Sequence, residues 1–529
     1  MEAMTRSRQS FLHGAAVLAF AGIVTRVMAL AVQMVMARTM GAQGFGLFQT
    51  ISPPYFLLVT LATFGLPPAV SKVIAENLAV GDVARARRAW TTANTWSAVS
   101  GLAMVCFAFA LSPHLQRWMD PRAIPAFLVM VFRIPIVCLS SVLSGFYMGI
   151  QNQTPPALAW VVETTVRAAA SVPLMIWMSP WGVRYGALAL VIGGGMGELA
   201  GYLTMLGTYW LRDRRLLVTG QRTSRPPRGV WGDLAQIAVP TMLSNVLGVV
   251  AFAAEPTVMY QAFFDAGVPR REATAMYGAF GMAMELLFMP TVLSGSISSV
   301  IVPAISEAKA LRDDRLVERR IAQAIHAATF VALFAVAFFI ASGEDAATAL
   351  YRNPTAGQLL AYLAPSCLFF YLSDPLFAVL QGLNRAFVST VITFFSSAVR
   401  LACIYEFVAV GNQGIRGLAS AVATSGIVAA VLAMFAVRRY HELDLDLRLS
   451  AKMALAAAIA WLPMTAVQYH AAEQAAWIQF ALCAVAGMTT YVVSAMYLRL
   501  ATVDEIARIP IIGEPLARAM RRLPLLGAR

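Results

Sequence analysis

Charge is what this 529-residue chain lacks: Asp, Glu, Lys and Arg make up 13% of it against 59% hydrophobic residues, and the mean hydropathy is +0.68. A soluble domain carries about 25% charged residues. A soluble chain of this length would divide into roughly three domains and need a charged exterior, which this composition cannot supply. Cysteine is scarce as well. The five, Cys106, Cys138, Cys367, Cys403 and Cys483, all fall inside apolar runs without CxxC spacing, which excludes a disulfide scaffold and reads as small apolar packing. The five histidines show neither HxH nor HExxH spacing, so neither a metal site nor a catalytic one is expected.

What is present is a succession of apolar runs of the length that crosses a hydrocarbon core of about 30 Å. Spans are read at 11–37, 46–71, 92–112, 123–148, 156–178, 185–211, 233–263, 276–303, 321–342, 356–381, 387–410, 415–437, 450–469 and 474–498. The expected fold is all-α, a polytopic membrane protein of about 14 transmembrane helices. Arg6 and Arg8 precede the first run, which is longer than the roughly 7–15 residues of a signal-peptide core, so it reads as a retained span.

The net charge of +13 is almost all arginine. It gathers in alternate loops, around Arg85–Arg88, Arg212–Arg228, Lys309–Arg320, Arg438–Arg448 and the tail from Arg499. The opposite loops hold few basic residues, an imbalance of roughly three to one that places both termini on the cytoplasmic side of the cell membrane. No basic helix stands outside the spans, so nucleic acid is not an expected partner. The basic, proline-bearing stretch at Gln221–Arg228 reads as a linker. The expected organisation is a six-helix lobe at 1–215, the linker at 216–232, a second six-helix lobe at 233–440, two additional helices at 441–500 and a basic cytoplasmic tail at 501–529.

The two lobes share an internal repeat. "MGIQ" at Met148–Gln151 matches "QGLN" at Gln381–Asn384, an offset of 233, and "ETTVR" at Glu163–Arg167 falls on "SSAVR" at Ser396–Arg400. "GVR" at Gly182–Arg184 returns at Gly414–Arg416, and "PAVS" at Pro68–Ser71 returns as "PAIS" at Pro303–Ser306. An even number of spans per repeat gives both copies one orientation, with a substrate cavity expected between them near the midplane.

Gly22–Phe48, Gly65–Glu76, Gly145–Arg167 and Val379–Phe387 resemble the stage V sporulation protein B branch of polysaccharide transporters. That branch belongs to the multidrug/oligosaccharidyl-lipid/polysaccharide (MOP) exporter superfamily, with the MurJ lipid II flippases and the MATE exporters. The resemblance implies two six-helix lobes, two extra C-terminal helices, and transfer of an undecaprenyl-pyrophosphate-linked saccharide to the outer leaflet by alternating access. The cargo it implies is peptidoglycan precursor or another cell-envelope polysaccharide unit. The partners it implies are that lipid-linked saccharide and membrane lipids, with the protein acting as a monomer and not as an enzyme. Two rivals stand beside it, a MATE-like cation-coupled drug exporter and a membrane-embedded glycosyltransferase or ligase. External loops of roughly 4 to 13 residues are too short to hold the catalytic site the latter needs.

An ionisable residue at mid-span costs about 2.5–3.5 kcal/mol on insertion scales, so it faces a cavity or a partner. The candidates are Arg26, Arg133, Glu163, Arg167, Glu198, Glu255, Glu285, Asp374, Arg400 and Glu406. Guanidinium is always charged and grips phosphate with two parallel bonds, so Arg26, Arg133, Arg167 and Arg400 are candidate cargo-binding residues. Glu163 and Arg167, spaced i,i+4, equally suit a pair on one helix face. Arg400 has Ser396 where the first repeat has Glu163, and so lacks that helical partner.

The resemblance places Arg26 at the first-span arginine that MurJ-like proteins use for substrate. Val32 stands where they carry a second arginine, and Pro53–Val59 lacks their second-span arginines. Glu255 falls where relatives carry a span-7 carboxylate associated with cation coupling; with Glu198, Glu285 and Asp374 it forms the candidate ion-coupling set. A coupling cation, sodium or proton, is the one cofactor considered, beside drive by membrane potential. Gly193, Gly197 and Gly201 read as a close helix-packing stripe. Pro135, Pro173, Pro240 and Pro290 read as hinges or as tolerated kinks.

The loop charges generate a direct test. Cysteines introduced at Ser224 and at Ala266 should label from opposite sides of the membrane, and labelling from one side would overturn the topology.

Overall fold

Backbone polar groups in hydrocarbon must find partners within their own segment, so an apolar chain of this kind is driven to helices. A computed structural model describes residues 11–217, 230–441, 446–471, 473–498 and 500, without the side chains of 11–20, 23, 292–294, 296, 297 and 299. Arg6, Arg8, the linker at Gln221–Arg228 and the tail 501–529 lie outside the described residues. Every regular element among the described residues is helical. Among the described residues, eleven helices are long and apolar enough to cross a membrane, or twelve if the pair Ile124–Val131 and Ile134–Gly149, bent by 41°, is one span. The chain is an all-α polytopic membrane protein.

The sequence count of fourteen is not reached by this measure, and two places account for the difference. The first helix, α1 (Phe11–Thr63), runs through the loop expected at 38–45 and departs from helical geometry only at Gly41, with φ 62° and ψ −167°. Its 53 residues would extend about 80 Å at 1.5 Å per residue, more than twice the hydrocarbon thickness, so this glycine divides it into two span-length segments. The region of the expected eighth span holds two helices, Arg270–Leu287 and Thr291–Ala310, separated around Pro290.

The chain forms two compact units, Met1–Gly278 and Ala279–Arg529. The first holds α1, α2 (Leu66–Ala79), α3 (Val83–Leu111), α4 (Ile124–Val131), α5 (Ile134–Gly149), α6 (Thr154–Met178), α7 (Val183–Thr208) and α8 (Val230–Asp265). The division falls beyond the expected linker because α8 packs on α1 and α2. There Gly65, at φ 64°, lies so close that an added Cβ would come within 2.5 Å of the Ala238 carbonyl oxygen. After α9 (Arg270–Leu287), the second unit continues with α10 (Thr291–Ala310), α11 (Asp314–Tyr351), α12 (Pro354–Leu363), α13 (Cys367–Gly382), α14 (Ala386–Tyr405), α15 (Gly414–Arg438), α16 (Leu447–His470) and α17 (Ala476–Tyr497). The two helices outside the repeat, α16 and α17, pack on α11, where Tyr491 lies against the rings of Phe330 and Phe334 and its hydroxyl donates to the Phe330 carbonyl. All five cysteines are free; Cys138, Cys367 and Cys483 are buried, whereas Cys106 is exposed on α3.

The internal repeat is visible in local geometry. Gln151 and Asn384, matched by the sequence repeat, both take left-handed backbone, at φ 57° and 60°, and Gly182 and Gly414 both have positive φ. Asp82 and Asp313 each cap the following helix by accepting from the backbone N–H three residues on. In the first unit Gly149 packs on the Ser71 carbonyl, and in the second Gly382 packs on the Val302 carbonyl and Ile305. Each contact joins the two repeated motifs, "MGIQ" to "PAVS" and "QGLN" to "PAIS". Of the four prolines singled out from sequence, Pro135 and Pro290 sit at helix breaks, whereas Pro173 and Pro240 lie within continuous helices.

One buried network ties four segments of the first unit at a single end. The Asp120 carboxylate accepts from the Arg122 side chain (2.7 Å), the Arg122 backbone N–H (2.9 Å) and the Thr274 hydroxyl (2.8 Å). Thr274 meets the Tyr260 hydroxyl at 2.9 Å, which meets Thr50 at 3.0 Å. Burial works against the Asp120 charge, but these donors outweigh it and hold its carboxyl below the ordinary value of 3.8. A lowered pKa contributes stability that is complete above the ordinary value and fades as the pH falls through the folded one. Asp120→Asn should therefore cost about 1.5–3 kcal/mol at neutral pH, the range for hydrogen bonds to a charged group. Thermal melts in detergent should show its gap from wild type narrowing only below about pH 4; a gap that is already closed at pH 6 would count against this network.

Candidate functional site

The charges that sequence placed at mid-span come together most densely in the first unit. Arg133 sits at the break between α4 and α5, immediately before Ile134 and Pro135. Its side chain crosses to α7, where Nε donates to Glu198 Oε2 at 2.9 Å and Nη2 pairs with Oε1. The two side chains are only 12% and 13% exposed. This is a two-pronged guanidinium–carboxylate pair, the geometry that best offsets the desolvation of both ions. The guanidinium also lies 5.5 Å over the ring of Tyr55 on α1, an electrostatically favourable seat. Space for it comes from Gly194: a Cβ there would come within 2.9 Å of Arg133 Nη1. The hydroxyl of Tyr55 is buried and has no hydrogen-bond partner among the described residues.

A second pair lies beside the first. Glu163 and Arg167, one turn apart on α6, pair with each other at 26% and 33% exposure, as the i,i+4 spacing allowed. The glycine stripe of α7 brings α6 close. Cβ atoms at Gly193, Gly197 and Gly201 would meet Ser171, the Glu163 carbonyl with Arg167, and Glu163 with Ala159. The stripe is thus a helix-packing seam, as its spacing indicated.

Between α5, α6 and α7 lies a half-open cavity of about 250 Å³. Its polar lining comes from Ser140, Ser141 and Ser144 of α5, Trp160 and Glu163 of α6, and Glu198 of α7. Glu163 and Glu198 line the cavity, whereas Arg133 and Arg167 do not.

The other sequence candidates are dispersed. Arg26 is exposed on α1 and has no ion pair with another described residue. Glu255 is buried on α8 immediately before Pro256 and accepts from the Tyr277 hydroxyl at 3.4 Å. In the second unit, Glu285 and Arg400 are half-buried and Asp374 is exposed; Glu406, in the turn that ends α14, is exposed as well.

Sequence reasoning passed over Tyr55, Trp160 and the serines. Their signal was available, since Ser140 and Ser144 stand four apart within an apolar span and Trp160 stands three residues before Glu163. What no one-dimensional pattern marked is that α5, α6 and α7 bring Trp160 and the serines to one cavity and that Tyr55 seats Arg133 beside it.

The Arg133–Glu198 pair generates a stability test. Removing either partner alone, as Arg133→Ala or Glu198→Gln, should cost about 3–5 kcal/mol by leaving a buried group unpaired. The double variant should recover part of that loss, and strictly additive losses in unfolding measurements would show the pair to be uncoupled.

Comparison with known proteins places these features in a wider set. The family described as "Polysaccharide biosynthesis protein" matches residues 11–309. "Stage V sporulation protein B" of Bacillus subtilis (strain 168) is 28% identical over 517 residues, covering 97% of this chain and 100% of that protein. Among solved structures, "Lipid II flippase MurJ, inward closed conformation" is similar with a TM-score of 0.70 at 13% identity, over 92% of this chain and 99% of that one. An inward-facing "multidrug resistance MATE family transporter of the MOP superfamily" is similar with a TM-score of 0.63 at 17% identity, over 78% and 94%. At these identities the two structures speak for the fold.

Proposed function

From a chain that belongs to the polysaccharide biosynthesis protein family, we propose a flippase that carries an undecaprenyl-pyrophosphate-linked saccharide from the cytoplasmic to the outer leaflet by alternating access. The observation that carries this reading is charge held where it is expensive: arginines inside apolar helices of both units, in a fold shared with a lipid II flippase. Full-length similarity to a sporulation protein supports a cell-envelope saccharide as cargo, whether peptidoglycan precursor or another polysaccharide unit.

The roles divide by what each side chain is already doing. Arg133 commits both prongs of its fork to Glu198, so it positions the site. Arg26 and Arg400 are assigned to the pyrophosphate, whereas Arg167, held by Glu163, positions the site together with Arg133. Glu255, Glu285 and Asp374 are assigned to coupling with a proton or sodium ion. Both termini lie on the cytoplasmic side and the protein works as a monomer. A drug exporter is the second reading, favoured by the similarity to the MATE structure.

Arg26→Ala and Arg400→Ala should each reduce flipping of a lipid-linked saccharide in liposomes by about tenfold or more, the loss expected for one charge-assisted phosphate contact. The melting temperature of Arg26→Ala should stay at the wild-type value, since that side chain is exposed. Lysine at either position should rescue partly, since it keeps the charge but loses the planar fork. Normal flipping by both alanine variants would remove phosphate recognition from the mechanism and favour the drug-exporter reading.

A further inference from the structure

The cavity between α5, α6 and α7 has the wrong charge for a phosphate and the right one for a sugar. Its four ionisable neighbours neutralise each other as two pairs, Arg133 with Glu198 and Arg167 with Glu163. Of those four residues, Glu163 and Glu198 line the cavity and Arg133 and Arg167 do not. A phosphate entering here would find no cation among the lining residues to receive it. A carboxylate offers about four lone-pair sites, and an arginine fork occupies two, so each glutamate retains capacity to accept from a hydroxyl. Ser140 and Ser144 add hydroxyls that can donate and accept, and Ser141, whose hydroxyl donates to the Cys138 carbonyl at 2.7 Å, adds an acceptor.

Trp160 supplies the complementary surface. It is 52% exposed and lines the same cavity less than one turn before Glu163. A pyranose ring has an apolar face of C–H bonds and an edge of hydroxyls, which matches a flat indole beside hydrogen-bonding groups. The volume of about 250 Å³ suits one ring. Pro156, near the start of α6, lines one end of the cavity, and Glu163 lies seven residues deeper, about 10 Å along the helix. That end follows the loop at Gln151–Gln153, on the face the loop charges assign to the cytoplasm, where a cargo would be loaded.

The repeat makes the feature specific to one unit. Positions equivalent to Arg133, Trp160, Glu163 and Glu198 carry Ser366, Thr393, Ser396 and Ala430 in the second. Ser140 and Ser141 keep polar counterparts in Ser373 and Asp374, so the second unit repeats the scaffold and part of the polar wall but has neither the indole nor the two ion pairs. We propose that this cavity is the subsite for a neutral sugar ring of the cargo, with Trp160 as its platform and Glu163, Glu198 and the serines as hydrogen-bonding partners. This rests on the cargo being a lipid-linked saccharide and adds which part of the protein reads the sugar.

The test compares two probes on full-length protein in detergent: undecaprenyl pyrophosphate, and the same lipid bearing one N-acetylglucosamine. Wild type should bind the glycosylated probe more tightly. Trp160→Ala should weaken that probe by about five- to tenfold, the scale of one aromatic contact, and leave the bare pyrophosphate unchanged. Trp160→Phe should retain part of the preference, and melting temperatures of both variants should match wild type because the indole is half exposed. Equal weakening of both probes by Trp160→Ala, or no weakening of either, would overturn the subsite while leaving the cargo reading intact. Failure of wild type to bind either probe would overturn the cargo reading and the subsite with it.

Discussion

A guanidinium inside an apolar helix bundle must be neutralised where it stands, and the pair between Arg133 and Glu198 shows how much structure that takes. The helix before it breaks, Pro135 starts the next one, and the side chain reaches a carboxylate on α7. Gly194 on α7 leaves the room, and the Tyr55 ring covers the remaining face. Each of these residues would be unremarkable alone. Together they hold two ions in place at the edge of a cavity, and they set the sign of what that cavity presents.

The second pair depends on the same packing. Glu163 and Arg167 meet through helical spacing alone, but the seam formed by Gly193, Gly197 and Gly201 presses α6 onto α7 and sets Glu163 beside Glu198. Small residues in a membrane interface let backbones approach closely. Here that approach concentrates two acids and two bases into one neutral group. A cavity bordered by such a group can hold hydroxyls without demanding a counter-ion.

Duplication gave the two units a common scaffold, and substitution gave them different chemistry. The capping aspartates Asp82 and Asp313, the left-handed Gln151 and Asn384, and the close glycines Gly149 and Gly382 recur in both. These are backbone requirements, met by few residue types. The ion pairs do not recur: Ser366 stands at the second-unit position of Arg133, and Ser396 at that of Glu163. Arg400 keeps its charge on the repeated helix without the i−4 glutamate, so the two repeats offer arginines in unlike surroundings.

Much of this protein was legible in one dimension. Sparse charge and long apolar runs determined a helical membrane protein, because the bilayer leaves the backbone no other way to satisfy itself. The repeat could be read because turn, cap and close-contact positions tolerate few residues, and the Glu163–Arg167 pair because helical spacing is itself a distance. Three things needed the folded chain. Whether Phe11–Thr63 is one helix or two depended on the backbone angles of Gly41. The partner of Arg133 stands 65 residues away on another helix, a separation at which sequence carries no distance. The cavity depended on how α5, α6 and α7 pack, which decided that Glu163 and Glu198 line it while Arg133 and Arg167 do not. Local order follows from residue type and spacing; which charges meet across helices follows only from packing.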